Sequence, residues 1–306
     1  MTSDAGKGVG LEGSKSSPSL TDDAFVDSTK GPPWHLVDIF HDISDANEEF
    51  HSLSIDVRIH QDIPRSVNLY VCAFGGRTSL GPFYGGLQTN VGCPASTPEV
   101  EEGAGGFSQR AVPPAPGCIF SHWGAQRLRD VNCPPESFAE AGGYEGTFVS
   151  IRKHFPDETA PSLYAGDYTL ALQSRIDDEC SQWVDYTVNG ALVGSLRFAQ
   201  GQQDEQPQRF FIGDHIYHFV EIYGQKTYAE DVPPCLVSFC RPMLNGRAID
   251  PIKTSAHFYP ESPLWAAVSY DADAQETKVR VGAPFITQTH ETVELHCRRK
   301  SSSENV

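Results

Sequence analysis

No apolar run in this 306-residue chain reaches the length of a membrane span, and the N-terminal MTSDAGKGVGLEGSKSSPSLTDD lacks a signal-like apolar stretch. No Asn-x-Ser/Thr acceptor for N-glycosylation occurs. Basic residues are scarce, 23 Lys and Arg against 40 Asp and Glu, for a formal net charge of −17. That balance opposes a general affinity for phosphate backbones, and CRRK at 297–300 is the one basic cluster. Together these absences predict a soluble, cytoplasmic protein that partners neither nucleic acid nor membrane. Its eight scattered cysteines, without a secretion signal, read as free thiols.

The common catalytic signatures are missing too. There is no Walker phosphate loop, no Gly-x-Ser-x-Gly elbow and no His-Glu-x-x-His. The Gly8, Gly10, Gly13 match to a dinucleotide fingerprint has neither the strand before it nor the helix after it that phosphate binding needs. Cys235 and Cys240 have no second pair to complete a zinc site. Thr292, Glu294 and His296 share a face with His290, but on an edge strand such a face is ordinarily solvated. No cofactor and no metal are expected. Capped amphipathic helices are absent, and PESFAEAGG reads as one short turn.

What the sequence has in quantity is a period of two, punctuated by 27 glycines and 22 prolines. LSIDVRIH alternates Leu53, Ile55, Val57 and Ile59 against polar residues, and VNLYVCAF follows after a turn at Pro64. The two read as antiparallel neighbours. QWVDYTV and ALVGSLRF flank Asn189-Gly190, the dipeptide of a type I′ hairpin turn. The pattern predicts an all-β, antiparallel sandwich or jelly-roll-like fold, with up to two sheet systems. Residues 33–198 would form the sandwich, and 208–297 would complete it or build a second β lobe. Segments 1–32 and 298–306 read as disordered tails. The stretch 94–117 reads as a long loop without a strand of its own.

Aromatic and polar side chains recur together on strand faces. In FYGGLQTN, Tyr84, Gly86 and Gln88 share one face; in IFSHWG, Trp123 lies opposite Phe120 and His122. Trp183 and Asp185 face together in QWVDYTV, and Glu145 sits between glycines. Sugars stack their C–H faces on aromatic rings and pair hydroxyls with amides and carboxylates, and bare glycines allow close approach. Tyr84, Gly86, Gln88, Trp123, Glu145 and Trp183 are therefore the candidate ligand-binding residues for a carbohydrate or similar polar ligand. The same inventory also fits an ordinary sandwich core. An enzyme acting on a polysaccharide or small cyclic metabolite would need two facing carboxyl groups, drawn from Asp56, Glu145, Asp185 and Glu221. A third possibility is an interaction scaffold with the 94–117 loop as its contact.

The segments FYGGLQTN, IFSHWG and GGYEGTFVSIRKHF…AGDYTLAL resemble an uncharacterised domain-of-unknown-function family. Its motifs would match Tyr84, Gly86 and Gln88, then Phe120, Ser121 and Trp123, then Gly166, Asp167 and Tyr168. The resemblance spans roughly residues 34 to 225, and it departs at Gly124, where members commonly carry an acidic residue. It implies a carbohydrate-associated setting.

Overall fold

The computed structural model describes residues 34–43, 48–93, 112–124, 128–142, 148–201, 210–223, 231–259, 266–271, 273–282 and 292–297. Two antiparallel sheets pack face to face, with strands numbered in chain order. The nine-stranded sheet runs β21 (Val293–Cys297), β18 (Lys253–Phe258), β1 (Trp34–Asp42), β14 (Ile212–Ile222), β4 (Leu69–Thr78), β5 (Gly81–Cys93), β6 (Val112–Trp123), β9 (Phe148–His154) and β8 (Ser137–Gly142). The second sheet runs β19 (Ala266–Asp271), β20 (Glu276–Val281), β15 (Cys235–Phe239), β2 (Ser52–Ile59), β11 (Gly166–Ile176), β12 (Gln182–Val188), β13 (Ala191–Ala199) and β7 (Val131–Asn132). The short β16 (Met243–Leu244) and β17 (Arg247–Ala248) hang from β2, while β3 (Ile63–Pro64) pairs with β10 (Ser162–Leu163). Among the described residues no helix is long and apolar enough to cross a membrane.

Alternation explains which face of each strand turns inward. β2 buries Leu53, Ile55, Val57 and Ile59, and β12 buries Val184, Tyr186 and Val188. Across the interface Tyr186 meets Phe120 at 5.5 Å and Phe74 at 6.0 Å between ring centroids. His218 on β14 stacks on Phe239 of β15 at 4.9 Å. Each such fully buried apolar side chain contributes about 1.5–3 kcal/mol. The Asn189-Gly190 turn has φ of 50° and 76°, as a type I′ turn requires.

Three expectations are corrected. β2 and β4 do not pair; they belong to opposite sheets, because the chain from 60 to 68 crosses between the layers. PESFAEAGG makes its short turn at Pro135 and Glu136 but continues as the edge strand β8, whose Glu140 side chain faces Arg152 of β9. Part of the presumed 94–117 loop is strand. Val112–Gly117 opens β6, with Ala115 opposite Val91 and Gly117 opposite Gln88, and two register shifts accommodate Pro113, Pro114 and Pro116. Residues 94–111 lie outside the described residues, as do both terminal segments. β14 runs between β1 and β4, and β15 beside β2, so 33–198 and 208–297 contribute strands to both sheets.

Candidate functional site

The outer face of the nine-stranded sheet carries a second apolar cluster, separate from the inter-sheet core: Tyr70, Cys72, Ile119 and Phe219, with Tyr84, Tyr217 and Tyr223 against it. Strand register arranges this face in rows. The first runs His35, Glu221, Tyr70, Gln88 across β1, β14, β4 and β5. The second runs Asp38, Phe219, Cys72, Gly86, Ile119, Arg152. The third places Tyr217 and Tyr84 on either side of Gly75, with Ser121 and Ser150 beyond. Trp123 and Phe148 follow in the next row.

Rings meet here at steep angles. Tyr70 stands perpendicular to Phe219, 5.2 Å between centroids, and Tyr84 lies 5.6 Å from Trp123, which reaches Phe148 at 5.2 Å. Tyr217 covers Gly75, whose Cβ would run into that ring. The face is recessed: Tyr70 is 3% exposed, Phe219 6%, Asp38 8% and Gln88 9%. Burial pushes the Tyr70, Tyr217 and Tyr223 hydroxyls above the usual phenol range.

Polar groups are set into this aromatic floor. His35 bridges two carboxylates, with Nδ1 3.6 Å from Asp38 Oδ1 and Nε2 3.8 Å from Glu221 Oε1. The Tyr259 hydroxyl donates to the other Asp38 oxygen. Further across, Arg152 pairs with Glu140 and donates to the carbonyl of Gly92. Among the described residues the Trp123 indole N–H and Asp38 Oδ1 make no hydrogen bond, and the Tyr70 hydroxyl meets the Cys72 thiol but no oxygen or nitrogen partner. Buried polar atoms left without oxygen or nitrogen partners mark places where a ligand group would be favoured.

Of the residues singled out from sequence, Tyr84, Gln88 and Trp123 come together on this face. The space over Gly86 is not open to a ligand. A Cβ there would overlap the Val71 carbonyl and the backbone of Cys72 and Ala73, so the neighbouring strand fills it. Trp183 is on the outer face of the other sheet, in a ladder Arg175–Trp183–Arg197 across β11, β12 and β13. Both guanidinium carbons lie over the indole, at 5.3 and 5.5 Å, and its N–H donates to Asp177. Trp183 is thus a packing residue of a charged surface ladder rather than part of the Tyr84 face. Replacing Trp183 by Ala is expected to cost about 2 kcal/mol in urea denaturation and to leave ligand binding at the Tyr84 face unchanged.

The carboxylates named from sequence do not converge. Asp185 pairs with Arg175 at 2.9 Å, and Asp56 accepts from Thr169 at 2.5 Å. Both lie on the second sheet, four residues along and two strands apart, or roughly 16 Å from strand geometry. Glu221 belongs to the nine-stranded sheet, and Glu145 lies outside the described residues. Among the described residues no group of three or more His, Cys, Asp or Glu is placed to hold a metal ion.

Sequence reasoning missed His35, Asp38 and Tyr70. Residues 35 and 38 would ordinarily face opposite ways. A bulge between His35 and Val37 turns both outward, and no periodicity reveals it. No protein-family model matches this chain, and neither does any curated protein.

Proposed function

We propose that the protein binds a carbohydrate on the outer face of its nine-stranded sheet. The observation that carries this is the recessed aromatic floor, with Tyr84 and Trp123 half-buried in it, crossed by a polar row from His35 to Gln88. Rings offer stacking surfaces for sugar C–H faces, while the Gln88 amide, the Trp123 N–H and the Glu221 carboxylate suit hydroxyl groups. Binding without catalysis is the favoured role, since Asp56 and Asp185 are engaged in pairs on the opposite sheet. The motif resemblance through Tyr84, Gln88 and Trp123 points to the same carbohydrate-associated setting.

A glycan array followed by titration calorimetry tests the proposal. Trp123→Ala and Tyr84→Ala should each weaken the selected saccharide at least tenfold, about 1.4 kcal/mol, with folding intact by circular dichroism. Retention of full affinity in both variants would refute it.

A further inference from the structure

The His35 end of the face differs in charge from the rest. Arg152 is already neutralised by Glu140. Asp38 and Glu221 instead flank one histidine, and their side chains are 12% and 15% exposed. His257, opposite Asp38 on β18, is engaged with Thr292 at 3.0 Å. Aromatic rings pack on the histidine between these carboxylates, Phe219 at 5.3 Å and Tyr259 at 5.1 Å, and Tyr223 packs edge-on to Tyr70 at 6.5 Å.

We propose that this end selects saccharides bearing a protonated amine, that is, amino sugars, over neutral and acidic ones. The inference rests on the carbohydrate reading above and adds the ligand's charge. Three features converge on it. Asp38 is more than nine-tenths buried and its Oδ1 makes no hydrogen bond among the described residues. The Tyr70 hydroxyl, equally buried and next to Glu221 in the row, has no oxygen or nitrogen partner among the described residues. An ammonium brings three donors and no acceptor, which matches two carboxylates and a phenol oxygen. Aromatic ring faces add cation–π attraction, stronger where water is excluded. A sugar carboxylate at the same place would meet two like charges, an arrangement that excludes uronic acids.

Calorimetry at low salt with four hexasaccharides tests the proposal: β-linked glucosamine, its N-acetylated form, a β-linked glucose oligomer and an oligogalacturonate. The glucosamine hexamer should bind at least tenfold tighter than the glucose hexamer, and added salt should erode that advantage. Asp38→Asn should collapse the preference towards unity while leaving the glucose hexamer's affinity in place, and Glu221→Gln should weaken the glucosamine hexamer more than the glucose hexamer. Trp123→Ala should weaken both sugars alike. Equal affinity for the amine and neutral hexamers, or tighter binding of the acidic one, overturns the selectivity and leaves the carbohydrate reading standing. Failure of all four to bind overturns both.

Discussion

Acidification from pH 7 to pH 5 is expected to remove on the order of 4 kcal/mol of folding stability through His41 and His122, two of three histidines buried within the sandwich. His41, His122 and His218 are 4%, 0% and 0% exposed. His41 and His218 pack ring to ring at 4.9 Å, and His122 stacks on Phe198 at 3.8 Å. Burial lowers His41 and His122 to about 4, and lowers His218 well below the usual imidazole range, with His41 adding to the effect. His218 uses Nδ1 towards the Ala73 carbonyl, and its Nε2 makes no hydrogen bond among the described residues. A proton there would be a buried, unsatisfied cation.

The folded values lie below the unfolded 6.5, so the unfolded chain binds more protons in the window between. Stability is therefore present above pH 6.5 and is lost as pH falls towards 4. A shift of this size costs roughly 2 kcal/mol for each of His41 and His122 between pH 7 and pH 5, and His218 acts in the same direction. Glu48 and Glu276, whose folded values are lowered from 4.5, contribute only at lower pH. Urea denaturation at half-unit pH intervals measures the slope. In His122→Phe the slope between pH 6.5 and 5 should flatten by up to one proton, whatever the variant's absolute stability. A wild-type profile flat from pH 7 to pH 5 would contradict the account.

The second large effect is expected at Gly86. Its Cβ position is occupied by backbone, the Val71 carbonyl, the Ala73 amide nitrogen and the Cys72 Cα. Backbone cannot swing aside as a side chain does, so Gly86→Ala must push β4 away from β5 at the centre of the sheet. The expected loss is about 4 kcal/mol, at the upper end for a single substitution. A bulge between Cys72 and Phe74 lies directly opposite Gly86 and Gly85. Gly190→Ala is the control: nothing lies within 4 Å of that Cβ, and only its φ of 76° opposes a side chain, at a cost of about 1 kcal/mol. Equal, small losses in both variants would show that the close approach at Gly86 is not a constraint.

Much of the fold was legible because alternation reports burial directly. β2 and β12 turn inward the residues that their period names. The Asn189-Gly190 turn was readable for the same kind of local reason, and a second such turn, Asn245-Gly246 with φ of 50° and 74°, passed unread between two-residue strands. Alternation says which way a side chain faces but not which sheet its strand joins. Hence Trp183, which the period places on one face with Asp185, groups by sequence with a face that belongs to the other layer. The same limit made neighbours of β2 and β4. At the candidate site, Tyr84, Gln88 and Trp123 could be found because β5 and β6 alternate regularly through them. The His35–Asp38–Glu221 cluster could not, since it joins β1 to a strand more than half the length of the chain away and depends on a bulge.

The central claim, a saccharide seated on the outer face of the nine-stranded sheet, is tested most directly by the crystal structure of the complex with the tightest-binding oligosaccharide. The account predicts a sugar ring stacked against Trp123 and Tyr84, with hydroxyl groups on the Gln88 amide and the Trp123 N–H. Density for the sugar over the Arg175–Trp183–Arg197 ladder, or anywhere else on the second sheet, would contradict it.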